Sequence, residues 1–494
     1  MMIKKPKCRK TRCIIGRLVH LLMILLLLAC TSKEVDPPDP LYPVPTERQM
    51  AWHEMEQYAF VHFTTNTFTN KEWGYGDEDP AIFNPTSFDP EQWCRVFKEA
   101  GLKAVILTCK HHDGYCLWPS AFTEHSVKKS PWKEGQGDVV KEVRDACDKY
   151  GLKFGIYLSP WDRNHADYGS EEYVQYYRDQ LKEIFSSYGP VFEMWFDGAN
   201  GGTGYYGGAD ERRNIDKKTY YDWPTTLEMV RSMEPEVIFF SDAGPDIRWC
   251  GNEQGYVGET NWNTISTDTL YAGKGGITEL LNSGSEDGDQ WLPAEVDVSI
   301  RPGWFYHADE DEKVKTPEAL FDIYLSSVGR GSNLLLNIPP DRRGLLHEHD
   351  VEALTGWKKL LDKAFMHNLA FHKKVTADNI RGNNKKYAAL NITDGDKETY
   401  WATDDEVTAA AITIDLEKET DIKYIFVQEY IKLGQRVRTF DVEVDKDGEW
   451  KKVASSTTIG YKKILRLSPV STSKVRIKIT GARACPLISN IEIY

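Results

Sequence analysis

A chain of 494 residues is too long for one ordinary hydrophobic core, so two or three domains are expected. Hydrophobic residues at 41% and aromatics at 12%, with 15 Trp and 25 Tyr, exclude a disordered chain and suit surfaces on which the C–H faces of sugar rings stack. The formal charge of −14 weighs against nucleic acid and anionic membranes as partners and favours neutral substrates over phosphates.

Lys4, Lys5, Lys7, Arg9, Lys10, Arg12 and Arg17 precede an apolar run over 18–28 that ends in Ala29-Cys30. A basic stretch, a short apolar run and a small residue make a secretory leader over 1–29, too short for a spanning helix. The Leu-Leu-Ala-Cys ending resembles a bacterial lipoprotein box. That resemblance implies export to the periplasm or outer membrane, with membrane contact only through a lipid on Cys30; a secreted protein with Cys30 a plain thiol is the alternative. Losing the leader takes away seven basic residues and no acid, so the charge moves from −14 to −21. Residues 30–48, with Pro37, Pro38, Pro40, Pro43 and Pro45, read as a tether. Cysteines 94, 109, 116, 147, 250 and 485 are scattered without a CxxC pair, which predicts buried free thiols rather than a zinc site or disulfide framework.

From Trp52 onward, strand-like and helix-like runs alternate. The patterning predicts strands over 58–63, 104–109, 153–158, 191–196, 237–242, 295–299 and 333–337, and helices over 90–100, 138–150, 171–188, 223–233, 316–329 and 348–364. Pro90 and Pro317 stand at first turns, where a missing N–H costs nothing. This alternation over 49–370 predicts an α/β fold, a (β/α)8-like TIM barrel that is irregular on its far side, where fewer helices are legible. A doubly wound open sheet is the alternative, but no GxGxxG follows the first strand. From 371 to 494 the texture becomes period-two, as in Ala411-Ile-Thr-Ile-Asp-Leu416 and Val475-Arg-Ile-Lys-Ile479, which predicts an all-β jelly-roll sandwich. Its Thr393-Asp-Gly-Asp-Lys-Glu-Thr-Tyr-Trp401 segment resembles the opening of discoidin-like, galactose-binding-type modules, some of which bind sugar and some of which only brace a catalytic neighbour.

Chemistry-bearing residues fall at the ends of predicted barrel strands, the end that faces the active site in such folds. His62 ends the first, His111-His112-Asp113-Gly114 follows the second, Tyr157 ends the third, and Asp197 closes the buried run Val191-Phe-Glu-Met-Trp-Phe-Asp197. Histidines with an acid could hold zinc, yet no HxH or HExxH occurs, and adjacent His111 and His112 would point to opposite sides if extended. The reading is therefore no metal and no cofactor. Glycoside hydrolysis is the other option, with one carboxyl attacking or activating water and a second protonating the leaving oxygen.

Glu72-Trp73, the His-His-Asp-Gly segment, Gly155-Ile156-Tyr157, Trp195-Phe196-Asp197-Gly198 and Asn333-Leu-Leu-Leu-Asn-Ile338 together resemble the α-L-fucosidases of glycoside hydrolase family 29. The resemblance implies a fucosylated oligosaccharide or glycoconjugate as substrate, Asp197 as the nucleophile of a retaining mechanism, and His62, Glu72, Trp73, His111, His112, Tyr157 and Trp195 around the fucose. Arg248-Trp-x-Gly-Asn-Glu253 looks like the subgroup acting on α-1,3/1,4 linkages, which implies Glu253 as the acid/base, with Glu259 the other candidate. Arg301 and Trp304 are further pocket candidates. Asp197 must stay ionised, which neighbouring imidazole and hydroxyl donors would favour, and Glu253 must hold a proton. Another retaining glycosidase, or a surface glycan-binding lipoprotein without catalysis, remain the rival readings.

Overall fold

The computed structural model describes residues 1–3 and 35–494. Most of the expected leader, and Cys30, fall within 4–34 and lie outside the described residues. One compact unit runs from Pro40 to Tyr494, so the body begins before the expected boundary at 49. Leu41 N–H donates to Leu433 O at 3.0 Å, and helix α1 (Glu47–His53) starts behind a capping box made by Thr46 and Gln49.

Eight parallel strands close into a barrel: β1 (Gln57–Val61), β2 (Ala104–Lys110), β3 (Lys153–Leu158), β4 (Glu193–Trp195), β5 (Ile238–Ser241), β6 (Ile247–Trp249), β7 (Ala294–Ser299) and β8 (Asn333–Asn337). Alternate side chains divide between two cores. Tyr58, Phe60, Ile106, Tyr157, Trp195, Phe240, Ile247 and Leu335 fill the barrel. Ala59, Val61, Val105, Leu107, Met194 and Leu336 pack outward, against helices α2 (Pro90–Ala100), α3 (Val139–Tyr150), α4 (Glu171–Tyr188), α5 (Trp223–Met233), α6 (Pro317–Ser326) and α7 (Glu348–Ala364). The α2 and α3 limits follow from local chemistry, since Asp89 and Asp138 accept the N–H groups of Gln92 and Lys141 at the starts and Gly101 and Gly151 end them in the left-handed region.

The sequence reading missed β6. Only residues 242–246 separate it from β5, far fewer than the dozen or so a parallel crossover ordinarily needs, and no helix announces it. Buried Asp246 fastens this turn: its carboxylate accepts from Phe239 N–H at 2.9 Å and from Arg231, and its carbonyl accepts from the Gln49 amide at 2.7 Å. Between β6 and β7 a two-stranded hairpin (Thr264–Ile265 with Gln290–Trp291) and a six-residue helix, Thr278–Ser283, replace a full barrel helix.

The C-terminal domain is antiparallel and all-β, with strands β9 (Lys374–Ala377), β10 (Trp401–Ala402), β11 (Ala410–Glu429), β12 (Val437–Lys446), β13 (Glu449–Thr457), β14 (Lys463–Ala482) and β15 (Leu487–Ile493) in the order β10-β15-β11-β14-β12-β13, and β9 also on β11. The period-two run at 411–416 is the first half of β11, whose pairing with β14 slips between Asp415 and Thr420 and again before Tyr424. Tyr424, Phe426 and Ile464 join the core outside the barrel, and Lys462 pairs with Glu56 at 2.5 Å, so this domain is packed on its neighbour.

Candidate active site

A cavity of about 130 Å³ opens where the barrel strands end. Asp197, Glu253, His62, His111, His112, Tyr157, Trp73, Trp195 and Trp304 line it, joined by Phe60, Ala199 and Asp297. A larger cavity, about 440 Å³, lies at the other end against Trp52, Met55 and Phe192. The small one is the candidate site, because loops at the C-terminal ends of strands carry the chemistry of parallel barrels.

Asp197 leaves β4 directly. Tyr157 O–H donates to Oδ2 at 2.8 Å and Ala199 N–H to Oδ1 at 2.6 Å. Burial nevertheless raises the Asp197 pKa against both donors, the reverse of the direction expected from donors alone. His112 Nε2 stands 3.7 Å from Oδ2, but burial lowers His112 to about 3, so the contact is not an ion pair. The next residue must be glycine: a Cβ on Gly198 would lie 2.1 Å from Asp242 Oδ2.

The hydrogen bonds fix the histidine tautomers. Ser159 O–H donates to Trp161 O at 2.6 Å, so at 2.7 Å its oxygen can only accept from His112 Nδ1–H. Asn337 donates through Nδ2 to Ser299 and to Trp304 O, so its Oδ1 accepts from His62 Nδ1–H at 2.8 Å. Burial holds His62 at about 3 as well. Both imidazoles are neutral, and each keeps Nε2 as a lone-pair acceptor. Such acceptors suit a ligand rich in hydroxyl protons and do not suit an anion.

His111 and His112 share the cavity, with ring centroids 4.2 Å apart. Opposite orientations would need an extended pair, and that condition is not met: β2 ends at Lys110 and the chain turns at once, Gly114 N–H donating to His111 O at 3.0 Å. Gly114 is required there, since a Cβ would stand 2.3 Å from Asp162 Oδ1 and φ is +76°.

Glu253 sits in the loop after β6 and accepts from the Trp304 indole at 3.2 Å. Burial raises its pKa over the pull of that indole, and the charges of Asp197 and Glu72 add to the rise. Glu259 is elsewhere: its side chain is 84% exposed beside Arg330, and its carbonyl accepts from Lys463 Nζ. Glu72 does not line the cavity but accepts from the backbone N–H groups of Trp304 and Phe305 at 2.7 and 3.2 Å and contacts His307 Nε2 at 2.5 Å. Arg301 corrects an expectation. Its guanidinium turns away from the pocket to Asp350 of α7 at 2.8 Å and Asp311 at 2.9 Å, two carboxylates that offset the cost of burying its charge.

A model of the alpha-L-fucosidase family matches residues 41–364, and an F5/8 type C domain model matches 374–491. The chain belongs to the α-L-fucosidase family. It is 39% identical to Alpha-L-fucosidase 1 of Arabidopsis thaliana over 92% of this chain and 88% of that one. Among solved structures, a glycoside hydrolase 29 member from an unknown rumen bacterium is 43% identical, with a TM-score of 0.83 over 93% of this chain and 78% of that one. A Ruminococcus gnavus GH29 fucosidase in complex with fucose is 33% identical, with a TM-score of 0.84 over 94% and 97%.

Sequence reasoning missed Phe60 and Asp297 as lining residues of this fucosidase-family barrel. The signal lay in the alternation. Strands of a parallel barrel are apolar on both faces, so acids recurring at every second position, as Glu193 and Glu295-Val-Asp297 do, mark inward sites that need another reason to be polar.

Proposed function

We propose that the chain is a retaining exo-α-L-fucosidase that removes terminal α-1,3/1,4-linked fucose from glycans by double displacement. The observation that carries this reading is the sharing of one small cavity by Asp197 and Glu253, among neutral imidazoles that present acceptors. A cavity this small has room for one sugar ring, which favours exo action. In the first step an Asp197 oxygen forms a bond to C1 while the C1–leaving-oxygen bond breaks and Glu253 gives that oxygen its proton. In the second, Glu253 takes a proton from water as its oxygen attacks C1, and Asp197 departs as a carboxylate. Phe60, Trp195 and Trp304 form an apolar corner for the C6 methyl of fucose. Linkage preference rests on the Arg248-Trp-x-Gly-Asn-Glu253 pattern, and export with a lipid on Cys30 rests on the leader.

The test compares wild type, Asp197→Ala and Glu253→Ala on an aryl α-L-fucoside and on Lewis-type and 2′-fucosylated oligosaccharides. Asp197→Ala should lose turnover by orders of magnitude on all of them. Glu253→Ala should suffer most on natural linkages, whose leaving groups need protonation, and azide, attacking C1 of the Asp197-bound intermediate in place of water, should rescue it as the retained α-fucosyl azide. Wild-type rates in Asp197→Ala would end the catalytic reading.

A further inference from the structure

The cavity offers its ligand more acceptors than donors. Tyr157 O–H is engaged by Asp197, the Trp304 indole by Glu253, the Trp195 indole by Glu295 at 2.9 Å, and the ring N–H groups of His62 and His112 by Asn337 and Ser159. A sugar brings lone pairs as well as hydroxyl protons; the Trp73 indole and one ring N–H of neutral His111 remain to donate, and any further sugar lone pair must be met by another group. Asp297 stands at an inward position of β7, 3% exposed, on the cavity wall beside Glu253. Its Oδ1 accepts from the Trp249 indole at 2.8 Å, which leaves Oδ2 as the atom that can hold a proton.

Resting on the glycosidase reading above, we propose that Asp297 is a substrate-binding carboxylic acid that meets the sugar in its neutral form and donates from Oδ2 to a sugar oxygen on the Glu253 side of the pocket. The charges that face it are all negative: Glu253 from the loop after β6, and Glu295 two places back on its own strand. Burial first, and the Glu253 charge second, hold its pKa well above the ordinary aspartate value, over the opposing Trp249 indole. A carboxyl kept neutral by an apolar setting serves as a hydrogen-bond donor where an ionised one could only accept. Asp297 is thus distinct in task from both Asp197, which must shed its proton, and Glu253, which must pass its own on.

Asp297→Asn keeps an oxygen for Trp249 and an N–H for the sugar, whereas Asp297→Ala keeps neither. On an aryl α-L-fucoside, Asp297→Asn should lose no more than about tenfold in kcat/KM and Asp297→Ala about 100-fold, mostly through KM, since the Ala variant loses the bond to the sugar and also leaves the buried Trp249 indole without its acceptor. An Asn variant as damaged as the Ala variant would overturn the inference, because the charged form would then be the one required. Infrared difference spectra of the substrate-free full chain at neutral pH give a second readout. The Asp297→Asn minus wild-type spectrum should lose a carboxylic-acid carbonyl band, and loss of a carboxylate band instead would overturn the inference. An inactive wild type would overturn the fucosidase reading, and the infrared band would still decide the state of Asp297.

Discussion

The backbone N–H of Trp304 donates to the Glu72 carboxylate at 2.7 Å while the indole of the same residue donates to Glu253 at 3.2 Å. A rim acid that does not line the cavity thereby fixes the residue that orients the proposed proton donor. Removing Glu72 strands two backbone donors, those of Trp304 and Phe305, and frees the indole to drift. Glu72→Ala should lower kcat/KM on fucosides by about 10–100-fold, a misplacement cost, with the circular-dichroism spectrum unchanged. Glu72→Gln, which still accepts, should lose less. Wild-type kinetics in Glu72→Ala would show that Trp304 holds its place without it.

The pH profile follows from the two raised carboxyls. Turnover requires Asp197 ionised and Glu253 protonated, and burial raises both from their ordinary values of 3.8 and 4.5. The acid limb of kcat/KM, where Asp197 gains a proton, should therefore lie at higher pH than for an ordinary aspartate. The alkaline limb marks loss of the Glu253 proton. Because the Asp197 charge itself raises Glu253, both limbs belong to the pair. Glu253→Gln, measured with an activated aryl fucoside, should keep the acid limb and lose the alkaline one. Survival of both limbs would move the proton donor to another group.

Most of the barrel was legible because its strands are long, apolar and bounded. Lys153–Leu158 and Asn333–Asn337 were readable end to end, and Pro90 announced the first turn of α2. Ile247–Trp249 was not, since three residues cannot show a period and its buried Arg248 reads as polar. The site residues at strand ends were legible from position alone. Glu72 and Arg301 misled for one reason: sequence places a residue on the rim but does not say which backbone N–H or carboxylate claims its charge. Asp297 carried its signal in the two-residue spacing from Glu295 on a strand buried on both faces, but no strand-end motif drew attention to it.

Beneath the pocket, Tyr58 O–H lies between two fully buried acids, 3.0 Å from Glu193 and bonded also to Glu295, which takes the Trp195 indole on its other oxygen. Burial raises both carboxyls, Glu295 to about 7 from 4.5. An acid raised in the folded state contributes stability that is whole below its unfolded value and is lost as pH rises through the folded one. Between pH 4.5 and about 7 the unfolded carboxyl ionises while the folded cluster holds its proton, so stability should decline across that window. Glu295→Gln keeps an acceptor for Trp195 and removes the titration. Its Tm should fall less than that of the wild type over that window, and a parallel decline in both proteins would place the pH dependence elsewhere.

Gly198 has no side chain because Asp242 occupies the space, with Oδ2 at 2.1 Å from where a Cβ would stand. Asp242 cannot swing aside freely, since that same oxygen accepts from Gly273 N–H at 2.8 Å. Gly198→Ala must then shift the backbone between Asp197 and Ala199, the segment whose Ala199 N–H holds Asp197 Oδ1 at 2.6 Å. A displacement of about 1 Å at a reacting group costs on the order of 10²-fold, so kcat should fall by about that much with KM changed less. Asp242→Ala restores the room, and the double variant should recover part of the loss, with a coupling of about 1 kcal/mol or more between the two positions. Full activity in Gly198→Ala alone would mean that the loop yields without moving Asp197, and the claim that these two residues lock the carboxylate in place would fall.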